Sequence, residues 1–153
     1  MPEVSFRKID ANNYKEALKL KVSEAQTGFV APNDRSLLQS AYEAPDSSTP
    51  YGVYDGETMI GFLLTSHSDD DPDTLWVWRF MIGEDYQGKG YGKFAMKKLI
   101  ADTQAEGKFT AIRLSYMPDN IVGQHVYASV GFTEEGIKED WGEMVAVCDL
   151  SQS

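Results

Sequence analysis

The sequence holds a single cysteine, Cys148, so no disulfide can form within the chain and the fold must stand on its core alone. That composition points to a reducing compartment, the cytoplasm. Long apolar runs are also missing: no window approaches the ~18 consecutive apolar residues of a membrane-spanning helix. The first twenty residues interleave Glu3, Arg7, Lys8, Asp10 and Lys15 with apolar positions, a pattern without a signal-peptide core. Basic charge is scarce, with Lys+Arg 14 against Asp+Glu 24 and a formal net charge of -10. Such a surface repels nucleic acid and anionic lipid and favours cationic small molecules as partners. Repeats of ~20 to 50 residues and low-complexity tracts are absent too, which argues against solenoids and long linkers.

What is present is 153 residues with 42% hydrophobic and 12% aromatic content, enough for one domain over 1–153 with a core of its own. Val4, Phe6 and Ile9 predict an opening strand. Tyr14, Ala17, Leu18, Lys21 and Val22 then recur at helical spacing. Pro32 and Asn33, the latter as a capping candidate, precede a short second helix carrying Leu37, Leu38, Ala41 and Tyr42 and ending by Pro45. Strands at 51–54 and 59–64 flank Asp55-Gly56, a pair suited to a tight hairpin turn. Residues 68–73, rich in aspartate, read as a solvated loop before an aromatic strand over 74–82.

A longer helix follows over 92–105, with Gly107 as its stop, then a strand over 111–116, a helix over 120–130 and closing strands at 132–137 and 144–150. The order is strand, two helices, three strands, helix, strand, helix, two strands. This is a mixed α/β domain with a central sheet, without the strict alternation of a doubly wound nucleotide fold.

Between the aromatic strand and the long helix lies Gln87-Gly88-Lys89-Gly90-Tyr91-Gly92. Glycines at a strand-to-helix junction let backbone N–H groups converge, and the helix start adds the positive end of a dipole, a cradle for linked phosphates. The dinucleotide fingerprint G-x-G-x-x-G fails at Lys93, and the P-loop pattern fails where Gly90 stands in place of a hydroxyl residue. A third pattern, Q/R-x-x-G-x-G/A, is met by Gln87, Gly90 and Gly92.

That segment resembles the coenzyme A signature of the GNAT superfamily of N-acetyltransferases, and Phe80-Met81-Ile82 with its exit resembles the family's fourth strand. Downstream, Asn120, Gly123, Tyr127, Gly131 and Phe132 form N-x-x-G-x-x-x-Y-x-x-x-G-F, similar to the family's second signature. Seven residues are nearly two helical turns, so Asn120 and Tyr127 share a helix face.

The resemblance covers about residues 75–132 and implies a GNAT-like acyl-coenzyme A N-acyltransferase fold with acetyl-coenzyme A as co-substrate. It implies cofactor contacts along Phe80, Met81 and Ile82, along Gln87, Gly88, Lys89, Gly90, Tyr91, Gly92 and Lys93, and from Asn120 and Tyr127. The Ile82 N–H becomes a candidate donor to the oxyanion. Tyr127 becomes the acid for the departing thiolate, since a phenol with unperturbed pKa ≈ 10 holds its proton at neutral pH. It also implies direct attack by the amine and allows a homodimer through the C-terminal strands.

Many relatives that act on amines carry a carboxylate on the fourth strand, where this chain has Trp76-Val77-Trp78-Arg79. The usual base is not carried over, and Glu24, placed at the end of the first helix, is the substitute expected here. His67 and His125 receive no role. Asp69, Asp70, Asp71 and Asp73 lack the calcium-loop spacing, so no metal is expected. Trp76 and Trp78 are read as core packing or as walls of an acceptor pocket.

The stretch 22–33 with Ser36-Leu37 resembles bacterial diamine and polyamine acetyltransferases of the spermine/spermidine type. A small-molecule amine, spermidine or spermine first, is therefore the expected acceptor. A protein N-terminus, a lysine or an aminoglycoside is the alternative within the enzyme class, and a non-catalytic acyl-coenzyme A sensor the alternative outside it.

Overall fold

Strand-forming residues build one seven-stranded sheet, alternately buried over 111–116, buried throughout over 59–65 and exposed over 133–138. Helices cover both of its faces in the computed structural model, which describes residues 2–138, 140 and 142–151. The elements are β1 (Val4–Lys8), α1 (Tyr14–Lys19), α2 (Asn33–Glu43), β2 (Ser48–Asp55), β3 (Thr58–Ser68) and β4 (Asp71–Ile82). They continue with α3 (Tyr91–Glu106), β5 (Ala111–Tyr116), α4 (Ile121–Ser129), β6 (Thr133–Lys138) and β7 (Glu143–Asp149), and single 3-10 turns stand at Glu24–Gln26 and Glu84–Tyr86. The spatial order is β1-β2-β3-β4-β5-β7-β6. Neighbours are antiparallel except β4 and β5. The element order is the one expected from the sequence.

β3, an interior strand of the sheet, feeds both cores. Leu63 joins Val77, Met96, Ile112 and Leu114 in the larger cluster beneath α3. Phe62 and Leu64 join Ala17, Tyr54 and Met81 in the cluster on the face that α1 covers. All of these side chains are removed from water, and each full burial of a Leu, Ile or Phe contributes about 1.5–3 kcal/mol before entropy is counted.

Three local readings need correction. α1 ends at Lys19 because Leu20 turns extended (φ -77, ψ 130), so Lys21 and Val22 lie outside the helix. Asn33 does not cap α2: it is the first residue of that helix, and its buried Nδ2 donates to the Ala17 carbonyl at 2.8 Å, closing the end of α1 instead. The aspartate-rich loop shrinks to Asp69 and Asp70, with Ser68 opposite Asp71 in the ladder. Asp71 and Asp73 are drawn into β4 by Arg113, whose Nη1 lies 3.7 Å from Asp71 Oδ2, and by the Thr110 N–H, which donates to Asp73 O at 2.8 Å.

Candidate active site in the β4–β5 split

β4 and β5 pair over four positions only, from Thr74 opposite Ala111 to Val77 opposite Leu114. Past that point β5 continues against β7, through Ser115 and Tyr116, while β4 continues against β3, through Arg79 to Ile82. A bulge at Trp78, between the pairs Thr65–Val77 and Leu64–Arg79, marks the divergence. The two halves of the sheet therefore part, and a cavity of about 1350 Å³ fills the opening.

The open edge of β4 has a defined phase. Met81 directs its carbonyl towards β3, where a Cβ on Gly61 would meet it at 2.5 Å. The Ile82 carbonyl faces the other way and accepts from Gln87 Nε2 at 2.8 Å. Because N–H and C=O of one strand residue point to the same side and alternate along the strand, Phe80 and Ile82 present their main chain to the split. Met81 turns its main chain to β3 and its buried side chain into the core, while the residue itself still borders the cavity.

The glycine turn ends at the N-terminus of α3. Gly88 and Gly90 adopt φ values of 79° and 85°, a conformation in which a Cβ is strained, and this lets the turn reverse tightly into the helix. The first helical hydrogen bond runs from Phe94 N–H to Gly90 O at 3.1 Å. The N–H groups of Gly90, Tyr91, Gly92 and Lys93 thus have no acceptor inside the helix. They gather at the positive end of the α3 dipole, where linked phosphates are stabilised. Gln87, Gly88, Gly90, Tyr91, Gly92 and Lys93 border the cavity, whereas Lys89 is exposed and does not.

Tyr91 is anchored from below. Its hydroxyl donates to Asp55 Oδ2 at 2.5 Å, and the Glu3 N–H donates to Oδ1 at 2.9 Å. Together these bonds hold the Asp55 carboxyl below its ordinary value, the Tyr91 bond most strongly. Gln87 uses its side chain to organise the site: besides Ile82 O, its Nε2 reaches Gln26 Oε1 at 2.8 Å.

α4 supplies the opposite wall. Asn120 caps it, Oδ1 accepting from the Gly123 N–H at 3.1 Å, and borders the cavity together with Tyr127. The Tyr127 ring stacks at 5.6 Å on Tyr116 and meets Phe132 edge-on at 5.9 Å. Burial, with a smaller contribution from Tyr116, pushes the Tyr127 phenol up to about 12. It is a protonated donor at neutral pH by a wide margin. Tyr116 is likewise raised to about 12, by burial and by its bond to Glu134 at 3.0 Å.

At the other end of the cleft stand Trp76, Trp78, Arg79, Arg35, His67 and Glu143. Arg79 Nη2 donates to Gln39 at 3.0 Å while its Nε is buried without a partner. Burial and then the like charge of Arg35 pull the guanidinium below its ordinary value, opposed by Glu143 and Glu43. Glu24 is not brought to this cleft. With α1 ending five residues earlier, it opens a separate 3-10 turn, is exposed, and does not border the cavity. Arg35, Tyr116 and Glu143 escaped the sequence reading, because none belongs to a spaced motif. Gln26 was signalled only within the stretch 22–33, and Trp76, Trp78 and Arg79 as the place where a carboxylate was expected.

A split parallel pair, a glycine turn with four free amides, and a protonated phenol across one cavity define a transferase for acyl groups carried on coenzyme A. The sequence profile of the acetyltransferase (GNAT) family matches residues 16–132, and the chain belongs to that family. It is an acetyl-coenzyme A-dependent acetyltransferase. The chain is 30% identical over 152 residues to the spermine/spermidine N(1)-acetyltransferase of Bacillus subtilis strain 168, covering 96% of this chain and 99% of that one. A shorter match, 29% over 84 residues, covers 54% of this chain and 49% of the L-2,4-diaminobutyric acid acetyltransferase of Streptomyces coelicolor.

Solved structures share the fold. The spermidine N-acetyltransferase of Vibrio cholerae, in complex with CoA and spermine, superposes with a TM-score of 0.77 at 16% identity, over 98% of this chain and 97% of that one. An aminoglycoside acetyltransferase in complex with coenzyme A gives 0.79 at 17% identity, over 96% and 95%.

Proposed function

We propose that this acetyltransferase acts on a primary aliphatic amine of the diamine or polyamine kind, with spermidine and spermine the first acceptors to test. The carrying observation is that the free amides of α3, the open main chain of β4 and the Tyr127 hydroxyl all border one cavity. Support for the acceptor comes from likeness over nearly the whole chain to a relative named for spermine and spermidine.

The α3 amides of Gly90 to Lys93 bind the linked phosphates, and the main chain of Phe80 and Ile82 pairs with the amide-bearing arm in the manner of an added strand. Asn120 Nδ2, left free by the Oδ1 cap, is the side-chain donor for that arm. When bound, acetyl-coenzyme A supplies an activated acyl group on a sulfur leaving group. The Ile82 N–H stabilises charge on the carbonyl oxygen, and Tyr127 Oη holds the proton that the departing sulfur takes. Glu24 has no part in this arrangement. The reading includes a cytoplasmic location, in keeping with the buried free thiol of Cys148, and a homodimer through the exposed edge strand β6.

Steady-state assays with acetyl-coenzyme A over spermidine, spermine, putrescine and an aminoglycoside test the acceptor. Efficient turnover of the polyamines is expected; turnover of the aminoglycoside or of a peptide amine alone rejects the reading.

A further inference from the structure

An alkylamine reaches the cleft as an ammonium ion, and burying that charge beside Arg79 and Arg35 is unfavourable unless a carboxylate meets it. Tyr127 has no such charge to offer, and Glu24 lies outside the cavity. Among the described residues that border the cavity, the carboxylate belongs to Glu143.

Its position follows from the register. Met144 lies opposite Tyr116, the last residue of β5, so Glu143 stands one residue beyond the end of that strand, where the sheet has opened. Its neighbour Met144 packs with Tyr116 and Tyr127 on one face of the sheet, so by strand alternation Glu143 turns to the opposite face, at the Arg79 end of the cavity that Tyr127 also borders. The side chain is half-buried, and among the described residues no hydrogen bond or ion pair occupies its carboxylate. Arg79 from β4 and Lys138, its partner position on β6, are the neighbouring cations. Arg79 is spent on Trp78 O and Gln39, at 3.0 Å each, rather than on Glu143.

We propose that Glu143 is the acceptor-binding carboxylate: it accepts hydrogen bonds from the incoming ammonium group at the mouth of the β4–β5 split and, once that group has released a proton to solvent, holds the amine nitrogen facing the acyl group held below Tyr127. The inference rests on the amine reading of the site and adds the residue that recognises the acceptor. It also accounts for the aromatic and basic character of β4 at Trp78-Arg79, because recognition of the cation has passed to the other side of the split.

The test uses three proteins, wild type, Glu143→Gln and Glu143→Asp, each saturated with unreactive coenzyme A and titrated calorimetrically with spermidine, alongside steady-state kinetics. Glu143→Gln is expected to weaken spermidine binding and raise its KM tenfold or more, with coenzyme A affinity within twofold of wild type. Glu143→Asp, which keeps the charge, is expected to recover part of the loss. Unchanged spermidine binding in Glu143→Gln overturns the proposal, as does a parallel loss of coenzyme A affinity, which marks a structural role. Wild-type protein that neither binds nor acetylates any alkylamine overturns the amine reading itself, a result separate from a failure of Glu143 alone.

Discussion

Gln87 Nε2 donates to Gln26 Oε1 across 61 residues of sequence at 2.8 Å, joining the glycine turn to the loop that walls the acceptor end of the cleft. Gln26 N–H to Ser23 O and Phe29 N–H to Gln26 O stay within that loop, and a main-chain bond from Glu84 N–H to Lys21 O links its start to the exit of β4. Replacing Gln26 with Ala removes the tie while leaving the phosphate cradle intact. The amine KM is expected to rise roughly 3- to 10-fold, the worth of one hydrogen bond. Acetyl-coenzyme A affinity, read by calorimetry, stays within about twofold, and Gln26→Glu, which keeps an acceptor oxygen, retains most of the wild-type KM.

Tyr127→Phe keeps the ring contacts with Tyr116 and Phe132 and deletes the proton. The chemical step is expected to slow about 100-fold or more. Single-turnover measurement is the right readout, since slow product release masks part of such a loss in kcat. A variant as fast as wild type in a single turnover removes Tyr127 from the mechanism and revives the sensor alternative.

Gly90→Ala forces a Cβ into φ 85°, with Phe94 3.4 Å away. A non-glycine residue in that region costs about 1–2 kcal/mol, and the turn relieves it by tilting the free amides. Acetyl-coenzyme A should bind about tenfold more weakly, while the amine KM, extrapolated to saturating cofactor, moves little.

The two phenols raised furthest make stability pH-dependent on the alkaline side. Both Tyr116 and Tyr127 sit at about 12 in the folded chain against an ordinary 10.0, so between those values the folded state holds protons that the unfolded state has lost. Their contribution is complete below pH 10 and disappears as pH rises towards 12. Urea unfolding at stepped alkaline pH should show falling stability through this window, and the fall should be shallower in Tyr127→Phe.

Asn33→Ala leaves the Ala17 carbonyl without its buried donor. The expected loss is about 1–3 kcal/mol, visible as a lowered Tm, with cofactor affinity preserved because Asn33 does not border the cavity.

Motifs that act through the backbone were the legible part of this chain. Gly88, Gly90 and Gly107 take the left-handed conformations that only glycine adopts easily, and Asn120 caps the helix it was expected to open. The helix–strand order followed from periodicity together with turn and stop residues such as Asp55-Gly56, Pro45 and Gly107. The acceptor end was not legible, because its members meet through tertiary register. Glu143 reaches the cleft by where β5 stops, and Glu24 misses it because α1 stops early at Leu20. Asn33 looked like a cap from its place after proline, yet tertiary packing turned its amide inward. The aspartates of 71–73 looked like loop, and cross-strand partners made them strand.

The seam between β4 and β5 holds the sheet's halves together through just four residue pairs. A carrier whose amides bridge Phe80 and Ile82 to the far wall would lengthen that seam from the outside, so the loaded enzyme should behave as one continuous slab. Deuterium uptake along the distal part of β4 would then slow on loading, and the protein would melt as a single, sharper unit than it does empty.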